Sequence, residues 1–112
     1  MQIYHRLCDA GVELTNCDIR KTKRRNIEIV RLRYAIGNLL LTNYGLSTVE
    51  VGRLMNKDHT TIVYYRKYHR GRYRSDDEYA QLFDRLQSKM VDEKAMPDDL
   101  EEVIGCIKLI AQ

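Results

Sequence analysis

Apolar residues recur along this chain at spacings of three and four, while alternating β-branched runs and Asn-Gly turns are nearly absent, so the pattern predicts an all-α fold. Ile3, Leu7 and Cys8 fall on one helical face, and Gly11 is placed to close that first helix with a positive φ. Leu14 then precedes a capping signal in which Thr15 caps, Asp18 takes the third helical position and Ile19 staples back onto Leu14, predicting a second short helix to about residue 21. From about residue 24 to 44 two apolar lines run side by side, one through Ile27, Val30, Tyr34, Gly37 and Leu41 and the other through Ile29, Leu32, Ile36, Leu39 and Leu40. A helix apolar on two faces is central and packed on both sides, and Gly37 permits a neighbour to approach closely.

Gly45 ends that stretch and LSTVEV opens the next at once: Ser47 caps, Glu50 completes a capping box, and Leu46 with Val51 forms a hydrophobic staple. This helix ends near Met55 after two turns. Asn56 and Lys57 make a tight connection to Asp58, the N-cap of a helix expected to run from His59 to about residue 70, closed by Gly71, and to bury Ile62, Val63 and either Tyr65 or Tyr68. Two helices joined by so short a turn, the second polar and basic at its start, have the layout of a helix-turn-helix. SDDE at 75–78 reads as another capping box, with Ser75 as cap, ahead of an amphipathic helix bearing Tyr79, Leu82, Phe83, Leu86 and Met90. Pro97 stops it. A last helix over 98–111 carries Leu100, Val103, Ile104, Ile107 and Ile110 on one stripe, expected to pack back on Leu82, Phe83 and Leu86 in a monomer; a two-fold contact with a second copy is the alternative.

At 112 residues the chain is one domain, too short for a nucleotide-driven motor, and its 44% hydrophobic and 31% charged residues describe a globular core rather than a disordered chain. No apolar run approaches the roughly 20 residues needed to cross a bilayer, and the N-terminus lacks a basic segment followed by an apolar one, so a cytoplasmic location is expected, with no membrane partner. Cys8, Cys17 and Cys106 match neither a disulfide framework nor a zinc spacing. The charge is sharply divided: residues 1–74 carry 15 Lys and Arg against 6 Asp and Glu, net +9, and residues 75–112 carry 4 against 10, net −6. The basic part is the candidate for a polyanion partner.

Candidate chemistry is therefore recognition rather than catalysis. There is no glycine-rich phosphate loop, no HExxH and no nucleophile placed beside a base, so no catalytic residue, metal or cofactor is expected, and adjacent Asp58 and His59 are expected to point apart. Asp58, His59, Thr60 and Thr61 stand at a helix start, opposite buried apolar residues, with side chains short and varied enough to read base edges in a major groove. KTKRR at 21–25 is a basic turn able to insert a guanidinium into a narrow, electronegative minor groove. Arg66, Lys67, Arg70, Arg72 and Arg74 extend the positive field. Of the eight tyrosines, Tyr34, Tyr65 and Tyr79 fall on core stripes, which argues against a stacking surface for single strands.

DHTTIV following a short helix that contains VG, preceded by a long helix beginning RRNIEIVRLR and a small upstream pair, resembles the C-terminal DNA-binding domain of the bacterial replication initiator DnaA, from about Ile3 to about Lys89. The resemblance implies a Trp-repressor-like helix-turn-helix domain over 1–89, with 90–112 an acidic addition, that reads an asymmetric, A·T-rich duplex box. On it, Asp58, His59, Thr60 and Thr61 fall at the major-groove readers, Arg25 at the minor-groove arginine with Arg24 as its substitute, and Arg33, Ser47, Thr48 and Lys57 at phosphate-facing positions, which Arg66 and Lys67 extend. The turn before Asp58 is one residue shorter than in that family and lacks its glycine pair. The initiator's ATPase region has no counterpart here, which implies a free-standing, nucleoid-associated accessory of replication or transcription, such as a phage or mobile element encodes. The alternative from a different class is a protein-interaction module for a replication protein, with DNA affinity incidental.

Overall fold

In the computed structural model, which describes residues 2–94, every regular element among the described residues is a helix: α1 (Gln2–Thr15), α2 (Ile27–Thr42), α3 (Thr48–Met55), α4 (His59–Ser75) and α5 (Asp77–Lys94). α2 is the axis of the domain, as its two-sided pattern predicts. It touches the other four helices, and Ile29, Leu32, Ala35, Ile36, Leu39 and Leu40 are all buried. α5 closes the other side, with Tyr79, Phe83, Leu86 and Met90 buried against α1, α2 and α4. The expected helix over 98–111, and with it the choice between intramolecular and two-fold packing, lies outside the described residues.

Glycine is where the pattern and the structure part. Gly11 lies inside α1 rather than closing it. A methyl group there would sit 3.0 Å from Leu32 Cδ1, so the glycine serves the α1–α2 contact, and the helix ends four residues later at Thr15, followed by Asn16 (φ 61°), whose N–H donates to Val12 O. Thr15 thus belongs to the last turn of α1, its hydroxyl donating to Gly11 O, and cannot cap a following helix. Residues 16–21 form turns, held by Asp18 Oδ1 accepting from Arg20 N, with Ile19 tucked into the core. Gly71 likewise does not end α4, which continues one more turn to Ser75.

The caps around α3 follow the sequence pattern. Gly45 adopts φ 65°, Ser47 Oγ accepts from Glu50 N, and Glu50 Oε1 accepts from Ser47 N, each at 3.1 Å. α2 starts at Ile27, not near residue 24, because the Asn26 side chain accepts from Ile29 N and makes Asn26 the cap. At the α4–α5 joint the cap is Asp76 rather than Ser75: Asp76 Oδ1 accepts from Tyr79 N, while the Ser75 hydroxyl turns back to Gly71 O. Asp76 also receives Arg31 Nε at 2.8 Å, and this hydrogen bond, together with the guanidinium charge, holds its carboxyl below the usual carboxylate range. Of the residues expected under α4, Ile62 and Tyr65 are buried, Val63 is half-buried, and Tyr68 points to solvent.

One buried polar cluster ties α2, α4 and α5 together. Asn38 Nδ2 donates to Tyr34 O (2.9 Å) and Tyr65 O (3.0 Å) and lies 3.4 Å from the Tyr79 hydroxyl, which is itself hydrogen-bonded to His69 Nδ1 at 2.7 Å. Burial among Tyr73, Tyr79 and Phe83 holds the His69 imidazole below the ordinary histidine range. The folded state therefore takes up this proton less readily than the unfolded chain, so His69 leaves stability intact above the ordinary imidazole range and lowers it as pH falls through that range. Thermal melting at about pH 7.5 and about pH 5.5 checks this: the wild type should melt lower in acid, and His69→Gln should flatten the difference. An equal acid loss in the variant would place the responsible proton elsewhere.

Candidate nucleic-acid interface

The connection between α3 and α4 is compact because Asn56 reverses the chain and Gly52 lets it pass close by. Asn56 takes the left-handed region (φ 55°), which its short polar side chain tolerates, and Lys57 N donates to Gly52 O at 2.8 Å. A methyl group on Gly52 would lie 2.7 Å from Lys57 O, so the backbones can meet only over a glycine. Gly52→Ala is expected to lower stability by about 1 to 3 kcal/mol through this overpacking, read as a fall in Tm. An unchanged Tm would mean the turn yields without resistance.

Beyond this turn Asp58 caps α4, its Oδ1 accepting from Thr60 N at 3.2 Å. Contrary to the expected divergence, His59 Nδ1 lies 3.2 Å from the same oxygen. Both side chains are open to water, 60% and 71% exposed, so the contact orients an imidazole at the surface rather than enclosing a catalytic pair. Thr60 is exposed and Thr61 half-buried. These four residues project from the first turn of α4, whose buried side is anchored by Ile62 and Tyr65.

The basic loop is built by a residue whose role differs from the expected one. Arg33 does not face outward toward a phosphate: it is 7% exposed, with Nη1 donating to Arg24 O (2.7 Å) and Nη2 to Thr22 O (2.9 Å). A helix residue thus holds the backbone of the loop before that same helix, and the side chains of Arg24 and Arg25 are left exposed. Thr22 Oγ1 accepting from Arg24 N adds a local turn.

Between this loop and the α3–α4 turn lies an open cleft of about 470 Å³, edged by Lys23, Arg25 and Arg33 on one side and Met55, Asn56 and Lys57 on the other. Among the described residues no carboxylate lines it. Burial, together with the charges of Arg33 and Arg25, pushes the Lys57 ammonium below the ordinary lysine range. A set of cations that repel one another at a solvent-open cleft is relieved by an anion, and phosphate is the anion that suits guanidinium and ammonium donors together. The structure therefore brings Arg25, Lys57 and the α4 start to one side of the domain, while Arg20 on the cleft wall is already paired with Asp9 and Asp18.

Ser47 and Thr48 stand at the start of α3, the Ser47 oxygen engaged as cap and Thr48 half-buried. Arg66 and Lys67 are exposed on successive positions of α4. Sequence reasoning missed the loop-holding role of Arg33 and the exposed pair Tyr64 and Tyr68, which lie one helical turn apart on α4 with ring centroids 6.0 Å apart. The Arg72 guanidinium, expected to extend the basic field, instead lies over the Tyr34 ring at 4.2 Å. Among the described residues no group of His, Cys, Asp and Glu could hold a metal ion, no helix is long and apolar enough to cross a membrane, and burial raises the Cys8 thiol to about 11. No protein-family model, curated protein or solved structure matches this chain.

Proposed function

We propose that this protein binds double-stranded DNA at a specific sequence through a helix-turn-helix formed by α3 and α4, in the manner of the C-terminal domain of the initiator DnaA, as an accessory of replication or transcription. The observation that carries this reading is the cationic cleft joining Arg25 to Lys57, lined by no carboxylate among the described residues, next to the exposed Asp58, His59 and Thr60 and the half-buried Thr61. In this arrangement the start of α4 enters a major groove. The Arg24 and Arg25 side chains reach the adjacent minor groove, which is narrowest and most negative over A·T pairs. Lys57, Arg66 and Lys67 meet phosphates, with Ser47 and Thr48 at the backbone beside α3. Arg33 supports the loop from behind.

The division of labour is testable by substitution. His59→Ala and Thr60→Ala should each cost about 1 to 3 kcal/mol on the preferred duplex and little on a scrambled one. Arg25→Ala should weaken binding chiefly where A·T pairs flank the major-groove site, with Arg24→Ala as the companion variant. Equal losses on preferred and scrambled duplexes for His59 and Thr60 would remove the base-reading assignment.

A further inference from the structure

α4 is longer than a groove contact requires. At about 1.5 Å per residue, Tyr68 lies about 12 Å along the axis from Thr60 and Gly71 about 16 Å, whereas a major groove is about 12 Å wide. The second half of α4 therefore emerges from any groove that its first turn enters. Its outer face is nonetheless specialised. Tyr64 and Tyr68 are 50% and 47% exposed, their rings nearly parallel at 19°, and Lys67 Nζ lies 5.5 Å from the Tyr68 ring centre. Beside this aromatic row the helical spacing of 67, 70 and 74 sets a cationic one, Lys67, Arg70 and Arg74, all exposed. Gly71 sits between the rows, with none of the described residues within 4 Å of where its methyl group would be. A glycine inside a helix is less stable than alanine there, and no packing contact among the described residues accounts for it.

We infer that this face is a second nucleic-acid site, one that takes single-stranded DNA. Unpaired bases stack on the exposed faces of Tyr64 and Tyr68, and the backbone crosses the bare surface at Gly71 toward Lys67, Arg70 and Arg74. An aromatic ring accepts the face of any base, but the paired bases of an intact duplex offer none from the side, so parallel exposed rings beside a cation row suit a strand that has left its partner. The positive row supplies the charge complementarity. The tyrosines, Gly71, Arg70 and Arg74 lie beyond the base-reading residues at the start of α4, and Lys67 alone is shared with the phosphate contacts proposed for the duplex.

The test uses the full chain and a fluorescein-labelled oligothymidylate of about 20 residues, followed by anisotropy. The Tyr64→Leu/Tyr68→Leu variant should bind it about tenfold or more weakly, and the Tyr64→Phe/Tyr68→Phe variant within roughly twofold of wild type, since stacking needs the ring and not the hydroxyl. Gly71→Leu should keep or raise Tm while also weakening oligothymidylate binding, separating surface from stability. Duplex affinity should change little in all three. The inference fails if wild type does not bind the single strand, if the Leu and Phe variants bind it alike, or if the Leu variant loses duplex and single-strand affinity in equal proportion, which would make this face part of the duplex contact. Failure of the duplex reading looks different: no preferred duplex, with the tyrosine dependence on the single strand intact.

Discussion

Arg33→Ala should lower stability by about 3 to 5 kcal/mol and weaken duplex binding as well, although the guanidinium touches no DNA in this account. The side chain is buried and donates to two backbone carbonyls, those of Thr22 and Arg24. Truncation removes two charge-assisted hydrogen bonds, leaves those acceptors without the donors that held them, and opens a cavity beneath the loop. Freed of its support, the segment bearing Arg24 and Arg25 must be ordered again on binding, so affinity falls. Arg33→Lys should recover little, because one ammonium lacks the planar fork that reaches both carbonyls. Arg25→Ala is the control: exposed, it should leave Tm near wild type and change affinity alone. Denaturant unfolding and binding measured on the same preparations decide the matter. A fully stable Arg33→Ala that loses affinity would return Arg33 to a direct phosphate contact.

Tyr79→Ala should cost about 3 to 5 kcal/mol, the largest loss expected from a single core residue here. Tyr79 is wholly buried, with Tyr34, His69 and Phe83 around its ring, and its hydroxyl joins Asn38 of α2 to His69 of α4. Tyr79→Phe isolates the hydroxyl: it keeps the ring, removes the partner of the half-buried His69 Nδ1 while Asn38 Nδ2 keeps Tyr34 O and Tyr65 O, and should cost about 1 to 3 kcal/mol. Burial raises the Tyr79 phenol above the ordinary tyrosine range, so it remains a neutral donor across the pH at which the domain is studied. A Tyr79→Phe variant as stable as wild type would show that the buried cluster contributes shape and not hydrogen bonding.

What could be read from the residues was local. Ser47 with Glu50, Gly45 and Asp58 carry their capping chemistry within a few positions, so the α3–α4 unit and the placement of Asp58 through Thr61 are legible without coordinates. The two apolar lines of α2 announce its central position in the same way. What could not be read was decided at a distance. Gly11 can end a helix or admit a neighbour, and only Leu32, on another helix, selects the second. Arg33 looks like any basic residue of a long helix until the chain before it folds back and presents two carbonyls. Asp76 displaces Ser75 as cap in a joint where it also meets Arg31, an element away. The aromatic row on α4 was hidden because Tyr68 stood beside Tyr65 as a candidate for the buried side, and only the packing of α4 turns its ring outward next to Tyr64.

Specific recognition of duplex DNA stands or falls on selection from a randomised double-stranded library with the intact chain, the enriched duplex then being measured against excess random duplex. One asymmetric site should emerge, with an A·T-rich flank on the side of the Arg24–Arg25 loop, bound at least about a thousandfold more tightly than random sequence. Affinity should fall with salt with a slope near −0.9 for each phosphate contacted. Enrichment of no sequence, together with complete displacement by random duplex, would contradict specific recognition and assign the basic face to a protein partner instead.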